Sequence, residues 1–237
     1  NSPFEEKKRC LLLCSDVSSK YTRRGYEEYH RIAEYIARMS WQKKGNYMIF
    51  FPSYKLLEDV FEVYQEEFSV NWVECVCQQT SMNEQEREEF LRKFQAQGEK
   101  TLLGFCVMGG IFSEGIDLIG DRLIGVAVVG TGIPQIGFER ELLKDYYDQK
   151  GEPGFDYAYR YPGMNKVLQA AGRVIRTRDD TGVILLMDER FQNREYRNLF
   201  PREWYSVKTC TLESVEKNLR EFWEQITTEE NGVNGNR

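Results

Sequence analysis

The stretch VLQAAGRVIR at 167–176 contains the side chains best suited to chemistry in this sequence. It places Gln169, Gly172, Arg173 and Arg176 in the spacing Q-x-x-G-R-x-x-R. Arginine is always charged, and its planar guanidinium group matches the oxygens of a phosphate. Two arginines three residues apart on a helix lie on roughly one face, and one of them could neutralise charge developing in phosphoryl transfer. The alternative is a basic helix end that forms surface ion pairs, and the motif taken alone favours it.

The other parts of a nucleotide site are missing from the sequence. No phosphate loop of the form G-x-x-x-x-G-K-[ST] occurs, and the nearest string, at 98–101, has Glu99 inside the required Gly-Lys pair. The segment GTGIPQIG at 130–137 does not fit G-x-G-x-x-G, and Pro134 stands where a helix should open. No Asp-Glu pair followed by a third catalytic residue stands at a strand end in the manner of the magnesium-binding Walker B motif. The sequence therefore lacks the motifs that would bind ATP and Mg²⁺ without another domain.

Charge and composition limit the classes of partner. The formal net charge of −6 over 237 residues is unlike a domain that binds nucleic acid by bulk charge, so any such contact must be local or shared with another domain. No run approaches the ~20 apolar residues of a membrane span, and no signal-peptide pattern opens the sequence. We therefore expect a cytoplasmic protein (nucleoid-associated if bacterial) with no membrane partner.

The six cysteines and the single histidine, His30, bear on metal chemistry. One histidine argues against histidine-based catalysis and against a histidine-rich zinc site. The cysteines are expected to be buried thiols in strands. A C-x-x-x-C plus C-x-C metal or iron–sulfur site is the alternative, but these spacings match no common site. We therefore expect no metal and no iron–sulfur cluster in this chain.

Apolar runs and helical periods alternate along the chain. Strands are predicted at 9–14, 46–51, 72–77, 101–107, 123–129, 182–187 and, less regularly, 205–210. This alternation predicts a three-layer α/β fold with a mostly parallel sheet, in which function gathers where strands end. The segment 132–164 contains no strand-like run and predicts a helical insertion with a turn at Gly151–Gly154. The domain is predicted to span 1–229, with a disordered tail at 230–237.

Two further segments accompany the arginine motif. In FSEGIDLIGDRLIGVAVVGTGIP at 112–134, the stretch 113–117 follows one predicted strand and precedes another. GNYMIFFPSYKLLEDV at 45–60 is predicted to form a strand, a short turn and an amphipathic helix. Together with VLQAAGRVIR, these segments resemble motifs IV, V and VI of a superfamily 2 helicase. In detail they are similar to the DinG/XPD branch, in which FFPSY, SEGID and Q-x-x-G-R-x-I-R segments occur together. The resemblance extends over about 2–210 and includes the opening SPF and SDVSSKYTRR at 15–24.

The resemblance implies a RecA-like fold and the second motor domain of a two-domain motor. ATP and Mg²⁺ would be held mainly by an N-terminal motor domain of the same parent polypeptide, which is absent from this sequence. That first domain would supply the phosphate loop and the magnesium-binding carboxylates. A possible 4Fe–4S cluster would also belong to the upstream part. Single-stranded DNA would be the other partner.

The resemblance also implies roles for individual residues around ATP. Arg176 would be the arginine finger on the γ-phosphate, Arg173 would reach the phosphates, and Gln169 would sense the nucleotide. Gly172 would allow close backbone approach. In the second segment, Asp117 would contact the ribose or orient an arginine, while Glu114 and Gly115 would shape the loop. A helix cap is the alternative for Asp117, and a surface carboxylate is the alternative for Glu114.

Single-stranded DNA contacts are expected from hydroxyl, aromatic and basic side chains. Hydroxyl groups hold phosphates without much net charge, and tyrosines stack on bases without reading sequence. The candidates are Ser53, Tyr54, Ser113, Lys20, Tyr21, Arg23 and Arg24, with Ser18 and Ser19 in the same basic segment. The aromatic residues Phe155, Tyr157, Tyr159 and Tyr161 could also stack on bases. The favoured alternative for them is a seam that packs the insertion onto the core.

The function predicted from these observations is the C-terminal motor domain of an ATP-dependent DNA helicase, inactive as an ATPase alone. One alternative is a helicase-like binding or regulatory module without motor activity. A nuclease on a related fold is a third possibility, although no cluster of acidic metal ligands stands out in the sequence.

Overall fold

Seven strands form one parallel sheet. The computed structural model describes residues 6–95, 98–110, 112, 123–175 and 180–234, with side chains described as far as 229. The strands are β1 (Arg9–Cys14), β2 (Asn46–Phe51), β3 (Val73–Cys77), β4 (Thr101–Val107), β5 (Gly125–Val129), β6 (Gly182–Met187) and β7 (Lys208–Cys210). Their order across the sheet is β3-β4-β2-β5-β6-β1-β7, and every neighbouring pair is parallel.

Helices cover both faces of this sheet. They are α1 (Tyr26–Ser40), α2 (Tyr54–Glu67), α3 (Glu84–Lys93), α4 (Phe138–Gln149), α5 (Tyr161–Ala171), α6 (Arg194–Arg197) and α7 (Leu212–Asn234). Side chains of α1, α2 and α7, such as Ile32, Leu57 and Leu219, form the core on one face. Side chains of α3 and α5, such as Phe90 and Val167, form the core on the other. The predicted three-layer RecA-like architecture is confirmed, because helices cover both faces of a parallel sheet. Central strands of such a sheet are buried on both sides, which is why their sequences are nearly continuous apolar runs.

The segment 132–164 is helical from Phe138 onward, as the predicted helical insertion requires, while residues 132–137 have no regular secondary structure. It comprises α4, a turn at Gly151 with φ +78°, and a π-helical stretch (Asp156–Arg160) that leads directly into α5. The rings of Tyr147 and Tyr157 stack at 4.0 Å, and the Tyr159 hydroxyl donates to Glu141. The aromatic residues therefore mainly join α4 to the start of α5. This is the packing alternative given above, although the Phe155 ring stays partly exposed.

Several element boundaries differ from the sequence-based prediction, and β3 begins one residue later than predicted, at Val73. β5 begins at Gly125 rather than 123, and β7 begins only at Lys208, because this edge strand pairs with β1 over Leu12–Cys14 alone. α7 continues to Asn234, so residues 230–234 are helical rather than disordered as predicted. Two consecutive glutamates at 229–230 favour continuation of the helix past the predicted boundary.

Candidate functional site

The loops that follow β1, β2 and β5 meet at the carboxyl edge of the sheet, the edge at which the parallel strands end. Gly130, directly after β5, has φ +82°. A Cβ atom at this position would overlap the Ser19 hydroxyl and lie 3.6 Å from Cγ of Pro52. Only glycine permits this close approach. The predicted DNA segments at 15–24 and 52–54 are therefore neighbours in space, although they are separated in sequence.

The buried carboxylate of Asp188, directly after β6, fixes the loop after β1. Its Oδ2 accepts hydrogen bonds from the backbone N–H of Ser19 (2.9 Å) and from the Ser19 hydroxyl (2.8 Å). Arg190 donates to both carboxylate oxygens, at 2.8 Å from Nε and 2.8 Å from Nη2. Burial alone would raise the pKa of the Asp188 carboxyl, but the bonds and charge of Arg190 and the Ser19 N–H outweigh it and lower the pKa.

The basic segment after β1 is partly neutralised by its own neighbours. Lys20 Nζ lies 2.8 Å from Oε1 of Glu189, and Arg23 Nη2 lies 3.1 Å from Oε2 of the buried Glu28. Hydrogen bonding to Lys20 is the main cause of a lowered pKa at Glu189. Lys20 and Arg23 are therefore not free cations, which weakens the expectation of direct phosphate contact. These ion pairs hold the segment in place.

Two residues in the same segment remain suited to contact with a base. The ring of Tyr21 is 84% exposed, and the Arg24 guanidinium lies 5.6 Å from its centroid. An exposed ring with a cation beside it offers both a stacking face and positive charge.

Ser53 and Tyr54 lie where β2 passes into α2. The Ser53 hydroxyl caps α2 by accepting from the N–H of Leu56 at 3.4 Å, so it already has a structural partner. The Tyr54 hydroxyl accepts from Nε2 of Gln78 at 2.9 Å, while Oε1 of Gln78 accepts from the N–H of Val107 at 2.9 Å. Gln78 thus fixes the Tyr54 hydroxyl beside the end of β4.

The described part of the arginine motif, from Gln169 to Arg173, lies at the opposite, amino edge of the sheet. α5 ends at Ala171, with Gly172 as its C-cap and Arg173 beyond the helix. Val174 packs on Gly182, the first residue of β6. A Cβ atom on Gly182 would lie only 2.5 Å from Cγ2 of Val174. A six-residue strand spans about 20 Å, so this end of α5 is far from the Ser19–Asp188 cluster. The helical register expected for the two arginines is wrong at Arg173, because the helix has already ended.

Exposure at this amino edge differs among the motif residues. Gln169 and Gly172 are exposed, whereas Arg173 is half-buried. A cavity of about 290 Å³, lined by residues such as Gly172, Ile175 and Arg9, lies beside them. A second cavity, of about 330 Å³, lies between the start of β1 and α7, and no predicted site residue lines it.

Several predicted site residues lie outside the described part of the chain. They are Arg176, Ser113, Glu114, Gly115 and Asp117. Their proposed roles stay predictions.

The structure also identifies site residues that the sequence analysis did not single out. Asp188, Glu189 and Arg190 directly follow β6, and Gln78 directly follows β3. The rule that function gathers where parallel strands end could have found them. What it could not supply is their pairing with Ser19, Lys20 and Tyr54.

The cysteines lie in strands as free thiols, with Cys10 and Cys14 in β1 and the others in β3, β4 and β7. Burial raises the pKa of Cys10 to about 12 and that of Cys75 and Cys77 to about 11, so these thiols stay protonated near neutral pH. Among the described residues, no group of three or more histidine, cysteine or acidic side chains could hold a metal ion. No helix in the described ranges is both long and apolar enough to cross a membrane.

Comparison with known proteins gives one consistent result. Residues 36–207 match the family model described as a helicase C-terminal domain. The chain is 29% identical over 187 residues to the ATP-dependent DNA helicase XPD of Sulfolobus acidocaldarius, covering 75% of this chain and 31% of that protein. It is 24% identical over 203 residues to a probable ATP-dependent helicase of Methanocaldococcus jannaschii, covering 80% of this chain and 30% of that protein.

A further relative carries a different activity in its name. The chain is 23% identical over 201 residues to the 3'-5' exonuclease DinG of Bacillus subtilis, covering 84% of this chain and 21% of that protein. The chain thus spans at most about a third of the length of these relatives.

Solved structures of XPD share this fold. One XPD helicase structure superposes with a TM-score of 0.67 at 21% identity, covering 86% of this chain and 35% of that chain. An apo XPD structure gives a TM-score of 0.69 at 21% identity, covering 86% of this chain and 40% of that chain.

Proposed function

Because this chain belongs to the family of helicase C-terminal domains, we propose that it is the second motor domain of an ATP-dependent DNA helicase of the DinG/XPD type. Two of its relatives are named ATP-dependent helicases, and one of these is named a DNA helicase. In the proposed parent polypeptide, another motor domain would supply the phosphate loop and the carboxylates that hold Mg²⁺.

One observation carries the proposal: α5 connects two separate surfaces. Near its start, Gly163 packs on the backbone of Thr131 at the carboxyl edge, beside the loops that hold Ser19 and Tyr54. Past its end, Arg173 stands at the amino edge. A motor must bind a strand and a nucleotide at different places and couple the two. We assign the strand to the carboxyl edge and the nucleotide to the arginine segment.

The residues at the end of α5 fit half of an ATP site. The C-terminus of a helix carries partial negative charge, which disfavours a phosphate, and the described residues there offer no glycine-rich cradle. Cationic side chains must therefore provide the attraction, and Arg173 and Arg176 are of the right type. Gln169 is exposed and able to reach across to the other domain. ATP itself supplies the phosphoryl group, while these side chains would neutralise charge on it.

The experiment that tests this function measures ATP hydrolysis by the full-length parent protein with single-stranded DNA. We expect Arg176→Ala to reduce turnover by roughly 10³-fold or more, since an arginine finger contributes that much, and Arg173→Ala to reduce it as well. DNA binding should be retained in both. The matched control is Lys93→Ala, because Lys93 is paired with Glu74 at the end of α3 and lies outside both surfaces.

Unchanged turnover in both arginine variants would mean that the arginines are structural. If the parent protein binds DNA but its ATP hydrolysis does not depend on these arginines, the result would instead support the non-motor binding module. This chain alone should hydrolyse almost no ATP, and robust hydrolysis by the pure chain that is abolished in Arg176→Ala would overturn the half-site assignment.

A further inference from the structure

A lysine that belongs to none of the helicase-like segments lies at the carboxyl edge. Lys166 projects from α5 across the turn that follows β4, where Gly109 has φ +70°. A Cβ atom on Gly109 would lie 3.0 Å from Cε, 3.2 Å from Cδ and 3.5 Å from Nζ of Lys166. The absent side chain of Gly109 thus makes room for the lysine stem, which holds the ammonium group beside the turn.

The charge of Lys166 is not neutralised within the described chain. Lys20, Lys93 and Lys144 each lie within 3.0 Å of a carboxylate oxygen, at Glu189, Glu74 and Asp148. Among residues 6–95, 98–110, 112, 123–175 and 180–229, Lys166 has no carboxylate partner within 4.0 Å. A half-buried ammonium group of this kind favours an anionic ligand.

The other side of the same turn is lined by neutral polar groups. A Cβ atom on Gly110 would lie 3.3 Å from Nε2 of Gln78, the atom that donates to the Tyr54 hydroxyl at 2.9 Å. Lys166 comes from the face of the sheet covered by α5, and Tyr54 from the face covered by α2. The Gly109–Gly110 turn therefore lies between a cation, Lys166, and an aromatic ring, that of Tyr54.

We propose that Lys166 contacts one backbone phosphate of single-stranded nucleic acid, which crosses the Gly109–Gly110 turn with Tyr54 beside the adjacent sugar or base. The inference rests on the proposed function and adds to it a residue of the strand-binding surface. Lysine acts at phosphates as a point charge, without reading sequence, as a motor that moves along any strand requires.

The test uses fluorescence anisotropy of labelled dT20 with the full-length parent protein, titrated from low to high salt. Lys166→Met keeps the apolar stem over Gly109 and removes the charge, and Lys166→Gln is a second neutral variant. We expect both to weaken binding about threefold to tenfold at low salt and to reduce the slope of log K against log salt by about 0.7, the contribution of one phosphate on a single strand. Lys166→Arg should retain binding. Lys93→Met is the matched control and should change neither quantity.

The outcomes separate this inference from the proposed function. If the wild-type protein binds dT20 and neither neutral variant changes the slope, the Lys166 assignment is overturned, while the ATP hydrolysis experiment above still decides the motor function. If binding to dT20 falls but binding to dA20 does not, the contact is to bases and the phosphate assignment is overturned. If the wild-type protein binds neither oligonucleotide, the assignment of the strand to this edge fails together with Lys166.

Discussion

Replacing Asp188 with asparagine tests whether the carboxyl edge is held by a buried ion pair. Asp188 is fully buried and accepts from the backbone and hydroxyl of Ser19 and from the backbone and guanidinium of Arg190. Asparagine keeps the shape of the side chain but removes its charge. The asparagine NH2 group would replace one carboxylate oxygen, so its N–H groups would face donors from Ser19 or Arg190 instead of accepting from them.

The expected cost follows from burial of the partner. The Arg190 side chain is only 20% exposed, so its guanidinium would lose its anion without regaining full hydration. Breaking a buried ion pair by removing one member costs about 3–5 kcal/mol, because a buried charge is left uncompensated. We expect Asp188→Asn to lie near the lower limit, since one side-chain oxygen remains as an acceptor.

The measurement is urea denaturation followed by the fluorescence of the four tryptophans. Asp188→Asn, Arg190→Met and the double variant form a cycle, and the double variant should be less destabilised than the sum of the singles by about 1–3 kcal/mol. Asp145→Asn, on an exposed carboxylate of α4, is the control and should shift the free energy of unfolding by less than about 0.5 kcal/mol. A loss below about 1 kcal/mol, or strict additivity, would refute the reasoning.

The same ion pair predicts a pH dependence. The pKa of Asp188 is lower in the folded chain than its ordinary value of about 3.9. Its contribution to stability is therefore fully present above that ordinary value and is lost as the pH falls through the folded-state pKa. The difference in unfolding free energy between wild type and Asp188→Asn should be constant from about pH 5 to 7 and shrink below about pH 4. If this difference in unfolding free energy grew on acidification, the pKa of Asp188 would be raised, not lowered, in the folded chain.

Two more predictions concern packing. Gly132→Ala should cost about 2 kcal/mol or more in thermal denaturation, because φ is +66° and the new Cβ would lie 2.5 Å from the carbonyl oxygen of Gly163. Gly98→Ala is the control and should cost less than about 0.5 kcal/mol, because its Cβ would lie no closer than 3.8 Å to another atom. In native conditions, N-ethylmaleimide followed by mass spectrometry should label half-buried Cys75 well before fully buried Cys106, and equal rates would contradict the burial described here.

The fold could be predicted from the sequence because its strands are buried on both faces. Runs such as CLLLC at 10–14 and GVILLM at 182–187 are apolar throughout, so composition alone indicates their position. Asn83 and Glu86 also have the spacing of a capping box, and they form one at the start of α3. The short β7 was less clear, since only Cys210 is buried and pairing with β1 is what makes it a strand.

The candidate site could be predicted only in part. The segments at 15–24 and 52–54 do share one edge, because parallel strands end together. The ion pairs around them could not be predicted, since Glu189, which pairs with Lys20, lies far from it in sequence, and no helical spacing links Arg23 to Glu28. Asp188 reaches Ser19 across 169 residues of sequence, and such a pairing exists only once β1 and β6 are neighbours.

The continuous rod formed by α5 has a mechanical consequence. Its 11 residues are about 16 Å long, and the two ends abut opposite edges of the sheet. A rod of this length that tilts by about 6° about one end displaces the other end by about 2 Å. A small rotation imposed at Arg173 would thus shift Lys166 and Gly163 against the turns they cover. In the proposed motor, the length of α5 would therefore set the displacement that passes from one edge of the sheet to the other.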